Sequence, residues 1–465
     1  MKNILYIVLC VMVCSLSANG QEKKKKKKKP KAQVVYYQPT QRKKKVKIKY
    51  IPPPQPTRYD FSQYKNSKNP IDQVFYSDTN FYNDYLSLSA ERRVQIVFTR
   101  IDRDRYNIPH FSDYIYRADP NEYFYPASTV KLPMVAMCLE KINQLNIEGI
   151  TKETSLTIDS SGKCQYPSLY DSSSANYQAS LGHYIKKILL VSDNDAYNRM
   201  YEFMGSCYIN KRFKQLGMPN ARVTHRFTPW CDEDDNRVTN RFKFYDTSGN
   251  IIYTQEPIQC LESFDPPTGK VLLGTGYIDY DGKLKKKPKD FTGRNFLQLT
   301  DIHLTLKKIM FPEAFRKDKR FDLTERDYRF LRKYMSMYAP ESKDPVCDSS
   351  RGFFSCTKKY IIYGQDKDTT VNKNIRIFNI VGFAYGFLVD VAYIIDLETN
   401  TEFMLSSTIY SNTTGVLNTG IYEYYTIGMP FLKRLGQDFL KLEQKRPKQF
   451  PPNLDYLRFD YSKEY

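Results

Sequence analysis

Apolar residues recur at helical spacing from Ser128 onward, at Val130, Met134, Met137, Cys138, Ile142 and Leu145. That spacing gathers them on one helix face. Pro133 falls near the first turn, where a missing N–H costs little. The same period predicts a helix over Leu181–Val191 that stops at Ser192, and another from Asp195, a good N-cap, to Gly205. Further helices are predicted over residues 297–310, 325–337 and 420–443. Strand patterns occupy residues 94–98, 375–382, 384–396 and 402–411, and the aromatic-rich stretch 114–125 reads as extended. Two hairpins, 244–253 around Gly249-Asn250 and 277–284 around Asp281-Gly282, interrupt the middle of the chain. Strands at both ends with helices between them predict an α/β chain of the α+β type. One antiparallel sheet is flanked by helices, with a helical subdomain and a β-hairpin insertion.

The 465 residues suffice for one large domain or two ordinary ones. Lys2, an apolar run over residues 4–14, and the small residues Ser17, Ala18 and Gly20 before Gln21 predict a bacterial-type signal peptide over residues 1–20. The protein is therefore expected to be exported, to the periplasm or cell envelope. Of the net charge of +20, residues 22–49 supply +13, including seven consecutive lysines from Lys23 to Lys29. Residues 21–68 read as a basic, proline-containing linker, with Pro52, Pro53, Pro54 and Pro56 as a stiff spacer. After export such a tail meets anionic envelope surfaces rather than nucleic acid, so no specific nucleic-acid partner is expected. The folded domain is placed at residues 69–447, leaving 448–465 as a C-terminal tail.

Seven cysteines follow the predicted leader, so at least one is free or paired between chains. Cys138 lies on the apolar helix face and is expected to be a buried thiol. Cys347 and Cys356, bracketing a short polar loop, are the expected disulfide. There is no Cys-x-x-Cys and no His-Glu-x-x-His. Neither a metal site nor a cofactor is expected.

The chemistry concentrates in two segments. Ser128 and Lys131 form a Ser-x-x-Lys step at the head of the apolar helix, and Ser192-Asp193-Asn194 follows 64 residues later. A serine hydroxyl needs a neighbouring base to become a nucleophile. Residues i and i+3 share a helix face, which brings the Lys131 amine within reach of Ser128. A desolvated lysine can lose its proton and act as that base. Ser-x-x-Lys also occurs at Ser62–Lys65, Ser160–Lys163 and Ser355–Lys358, but only Ser128 opens an apolar helix with Ser-Asp-Asn downstream.

With these two motifs the chain resembles the penicillin-recognising serine hydrolases, in particular the class A beta-lactamase group. The resemblance implies a beta-lactamase/transpeptidase-like fold and acyl transfer to and from a serine. Carried onto matching positions, Ser128 is the acylated nucleophile and Lys131 accepts its proton, directly or through a water. Ser192 passes a proton to the departing nitrogen, and Asn194 binds the substrate amide and holds Lys131. The substrate would be a beta-lactam, another small-molecule amide or a peptidoglycan-like amide.

The family's third motif, Lys-Thr-Gly, is absent. Its counterpart is Ile380-Val381-Gly382-Phe383, with Gly382 for the glycine, Phe383 for the second oxyanion N–H and Ile380 in place of the lysine. Losing a hydrogen bond to a charged group costs roughly 1.5–3 kcal/mol. Arg376, on the same strand face but two pleats away, is the nearest replacement in sequence. The family's deacylating carboxylate has candidates in Asp232 and Glu233, within the acidic run 232–235. Without such a base the acyl-enzyme persists, as in a penicillin-binding peptidase. A non-catalytic envelope-binding protein on the same scaffold is the remaining alternative.

Overall fold

The computed structural model describes residues 58–463 except Asp368. The predicted leader and most of the basic linker lie outside the described residues.

Five antiparallel strands form the central sheet: β1 (Gln95–Arg103), β2 (Pro109–Tyr116), β3 (Ile375–Ala384), β4 (Phe387–Asp396) and β5 (Thr401–Tyr410), in the order β3-β4-β5-β1-β2. The early and late strands thus meet where β1 pairs with β5, Phe98 opposite Leu405, while β5 pairs on its other side with β4, Thr408 opposite Val389. Apart from its C-terminal end, β3 is buried along its length, and β4 is buried throughout, because helices cover both faces. The extended stretch predicted at residues 114–125 is strand only as far as Tyr116.

One face carries the core that includes the Ser128 segment. Helices α3 (Lys131–Leu145), α4 (Leu181–Val191), α5 (Asn194–Met204), α6 (Ser206–Gln215), α8 (Leu299–Met310) and α9 (Glu325–Ser336) pack there; α7 is the short helix Glu233–Arg237. Met134, Ile188, Met200, Ile302 and Leu331 all belong to this cluster. The other face is covered by α1 (Pro70–Ser77), α2 (Thr79–Leu86) and the terminal helix α10 (Met429–Lys445), where Phe98 stacks on Phe439 at 4.3 Å. Helices α1 and α2 lack a long apolar period and were not anticipated, yet Phe75 and Tyr82 are fully buried in them. The segment set apart as a C-terminal tail also packs: Leu454, Leu457 and Phe459 join the first core.

The late helices and strands fall within a few residues of expectation, except that a π-turn over Tyr424–Gly428 precedes α10 and delays its start. Both hairpins form, with a bulge between Phe244 and Tyr245 in the first. The N-cap of α5 is Asp193, not Asp195. Its carboxylate accepts the Ala196 N–H at 2.8 Å, two residues earlier than the pattern suggested.

The expected Cys347–Cys356 bridge does not form; both thiols are buried and free, as is Cys138, which burial pushes up to about 12. The disulfides are Cys164–Cys231 and Cys207–Cys260. Their partners lie 67 and 53 residues apart, so only the fold brings them together.

Candidate active site

Ser128 sits in a 3-10 turn, Ala127–Val130, that leads into α3 rather than at the cap of a regular helix. The turn is tight. Thr129 donates both its N–H and its hydroxyl to the Pro126 carbonyl, at 3.0 and 2.6 Å. Ala127 has φ +47°, a left-handed conformation that an alanine adopts at a cost of about 1 kcal/mol. The preceding proline and the packing of buried Tyr125 and Ala127 hold it there. The result is a half-buried Ser128 on a rigid corner.

Lys131 has no exposed surface. Its Nζ donates to the Ser192 carbonyl at 2.6 Å, to Asn194 Oδ1 at 2.7 Å and to Ser192 Oγ at 3.1 Å. The local fold explains why all three face it. Helix α4 ends at Ser192, whose φ of +60° turns the chain sharply; Asp193 then caps α5, and Asn194 is the first residue of that helix. The Asp193 carboxylate also lies 3.9 Å from buried Lys187, which is paired with Asp171 at 2.9 Å. Lys131, Ser192 and Asn194 are therefore joined at one corner, and Ser128 stands in the turn that leads into Lys131.

Strand β3 closes the other side. A Cβ built on Gly382 would lie 2.8 Å from the Pro126 carbonyl oxygen, 2.9 Å from the Ser128 nitrogen and 3.0 Å from the Thr129 nitrogen. Only glycine lets the strand approach the serine turn this closely. Phe383 follows it, half-buried, with its ring against Tyr424 at 5.3 Å. Ile380 is fully buried. Arg376 does not replace the missing lysine: its guanidinium is held by Glu341 at 2.8 and 3.1 Å, with the Tyr461 ring centroid 4.1 Å away.

Buried cations reach this region from elsewhere. Lys358, in the Ser355–Lys358 step set aside as incidental, is fully buried. It donates to the carbonyls of Ile188 and Leu189, at 3.0 and 2.6 Å, in the last turn of α4 just before Ser192. Burial pushes its amine down to about 7. Lys359 binds the Met335 and Ile377 carbonyls, both at 2.6 Å, and Asn379 Oδ1 at 2.9 Å. Asn379 donates in turn to the Lys358 carbonyl at 2.6 Å and to Asp390 at 2.9 Å. Burial raises Asp390 to about 7. This network ties β3 and β4 to the helix that presents Ser192. No periodic signal marks it, because it depends on a loop folding back beside the sheet.

The acidic run does not reach the serine corner through any contact of Asp232 or Glu233. Asp232 caps α7, accepting the Asp235 N–H at 2.8 Å, and Glu233 is largely exposed and paired with Arg237. The segment lying over Lys131 comes just before that run: the Phe227 ring centroid is 5.3 Å from Lys131 Nζ. Phe227 stacks on Tyr197 at 4.3 Å and donates its N–H to Asn198 Oδ1 at 2.7 Å. The Asn198 amide donates to Thr228 Oγ1 at 3.0 Å. Beneath, Arg226 is fully buried against Glu202 at 2.9 Å and anchors the loop through the Asp235 and Val238 carbonyls. Asn198 was legible in principle, since it stands four residues after Asn194 on the same helix face. Among the described residues no cluster of His, Cys, Asp and Glu is arranged to hold a metal ion.

Residues 85–255 match the family model described as the beta-lactamase enzyme family, a span that takes in both motifs and the loop over Lys131. The resemblance read from the motifs is thus borne out. No curated protein matches the chain. Among solved structures, a beta-lactamase from Xanthomonas campestris pv. campestris is 11% identical, with 81% of this chain and 99% of that one covered and a TM-score of 0.44. A beta-lactamase from Sphaerobacter thermophilus is 10% identical, covering 82% and 99%, with a TM-score of 0.43. The structure titled PBP-A is 12% identical, covering 80% and 97%, with a TM-score of 0.41.

Proposed function

We propose that the protein is an exported serine hydrolase that acts by acyl transfer through Ser128 on a beta-lactam or a related, peptidoglycan-like amide. The observation that carries this reading is the wholly buried Lys131, with its amine on Ser192 Oγ and Asn194 Oδ1, one turn from Ser128. The Ser128 hydroxyl adds to the substrate carbonyl while its proton passes to neutral Lys131, directly or through a water. The oxyanion rests on the backbone N–H groups of Ser128 and Phe383. The link of 3.1 Å from Lys131 to Ser192 Oγ then relays a proton to the departing nitrogen as the C–N bond breaks. Asn194 fixes the amine and accepts or donates to the substrate amide. Two disulfides accord with export to an oxidising compartment. The basic tail would hold the molecule to an anionic envelope surface.

A specific observation favours a second reading, a penicillin-binding-like peptidase with a long-lived acyl-enzyme. Deacylation by water needs a base, and an aromatic ring lies over Lys131 while Asp232 and Glu233 serve α7. Intact mass after incubation with a penicillin separates the readings. Wild type gains one adduct and Ser128→Ala gains none; a transient adduct marks the hydrolase and a persistent one the peptidase. If wild type gains no adduct and leaves nitrocefin untouched, beta-lactam chemistry is out, and a non-catalytic envelope-binding role takes its place.

A further inference from the structure

Trp230 is the only tryptophan in the chain, and it is 52% exposed. Tyr166, 56% exposed, meets it edge to face, with ring centroids 6.3 Å apart and planes at 80°. Both are held on fixed backbone. Tyr166 stands two residues after Cys164 and Trp230 immediately before Cys231, and those cysteines are bonded to each other. Buried Arg199 on α5 donates to the Tyr166 carbonyl at 2.5 Å. The chain thus uses a covalent clamp and a buried guanidinium to hold two large rings half in water, where they gain less than full burial would give.

The pair is continuous with the serine corner. Trp230 follows Thr228 by two residues, and Thr228 is bonded to Asn198 on the helix that begins with Asn194. Charged groups lie close in the structure and the sequence: Asp195 pairs with the Arg199 that holds the Tyr166 carbonyl, and exposed Glu233 follows Trp230 by three residues, although exposed Leu169 stands in the Tyr166 loop as well. A broad apolar face would suit a protein partner, whose stable interfaces bury on the order of 800 Å² per side. A pair of rings in polar surroundings suits a pyranose, which has an apolar C–H face and a rim of hydroxyls. Aromatic rings with a polar edge are suited to such half-wet contacts.

We propose that Tyr166 and Trp230 form a sugar-stacking platform, linked to the Ser128 corner through Thr228, Asn198 and α5, for a saccharide carried on the same molecule as the reacting amide. The placing of that amide rests on the acyl-transfer reading; the stacking itself does not. The same loop carries Tyr170 and Tyr177, 55% and 67% exposed, for further rings of an oligosaccharide.

Trp230 reports on its own site, because no other tryptophan contributes to the emission. The test is a fluorescence titration of the disulfide-intact protein with the tetramer of N-acetylglucosamine. A saturable change in Trp230 emission is expected. Tyr166→Ala should weaken binding about fivefold, consistent with the worth of one aromatic contact, while Tyr166→Phe should retain it. Ser128→Ala should keep the fluorescence change while losing the penicillin adduct, so failure of the chemistry and failure of the platform are told apart. No saturable change up to about 10 mM tetramer, the weak end of measurable affinity, overturns the proposal. So does equal binding by Tyr166→Ala, or a response to tetra-alanine and none to the sugar.

Discussion

The two walls of the serine corner differ in how they are built. The helical wall presents Ser128, Lys131, Ser192 and Asn194, and every polar contact to Lys131 given above comes from Ser192 and Asn194. The strand wall keeps the glycine that lets it approach Ser128 but has a buried isoleucine where a cation is expected, and its cations enter from the loop at Lys358 and Lys359. The contrast separates two requirements. Making a serine reactive needs atoms at hydrogen-bond distance, and those come only from fixed residues on helices. Buried amines from a nearby loop can bind carbonyls behind a strand, but burial lowers their affinity for the proton and so weakens them as a source of positive charge.

The largest effect should come from the helical wall. Lys131→Met should lower the acylation rate by about 10²–10⁴-fold, the usual worth of a positioned base, read by adduct formation against time. Its unfolding midpoint should fall, because the Ser192 carbonyl and Asn194 Oδ1 lose their buried donor. A rate within threefold of wild type would remove Lys131 from the chemistry.

Next comes the approach of the strand. Gly382→Val drives a side chain into three backbone atoms of the serine turn, none of which can swing aside. A loss of about 1–3 kcal/mol in urea unfolding is expected, together with slower acylation. Unchanged acylation would mean that the strand does not help form the oxyanion site.

The loop over Lys131 offers a gain of function. Thr228→Glu places a carboxylate beside Phe227, and the lifetime of the penicillin adduct should shorten by about tenfold, toward the low end of general-base effects. An unaltered lifetime would show that the missing base is not what limits deacylation.

The smallest effect concerns pH. Lys358 is lowered to about 7 in the folded protein, so between pH 7 and its ordinary value near 10.5 the unfolded chain binds more protons. Stability from this group therefore rises with pH across that window. Asp390 is raised to about 7, so between pH 4 and 7 the folded protein binds more protons and stability falls as pH rises. Together they predict a shallow minimum near neutrality. Lys358→Met should lower the rising limb, to which Lys359, Lys141 and Lys308 also contribute, by on the order of 1–3 kcal/mol in the difference between pH 7 and pH 9.5. Parallel profiles for variant and wild type would exclude the linkage.

What the sequence revealed follows from range of interaction. The Ser128–Lys131 step and the α4–α5 junction are local, so helical period and capping chemistry located them. Asp193 rather than Asp195 caps α5 because capping is decided by where the preceding helix terminates, and Ser192 turns left-handed one residue earlier. Phe227 gave no sign of its place, since its position depends on Arg226 finding Glu202 beneath it. Lys358 was hidden because its partners are main-chain carbonyls 170 residues away. Cysteine pairing failed for the same reason: short spacing suggested Cys347 and Cys356, while the actual bonds staple distant loops.

One feature of the sheet bears on how the molecule would be tethered. Phe61 and α1 pack on the layer opposite the one that holds the Ser128 helix. A basic cord ahead of Tyr59, if it holds an envelope surface as proposed, would pull on that far layer and not on the Ser128 turn. Shortening that cord should change how far the corner can sweep, and leave what it does on arrival untouched.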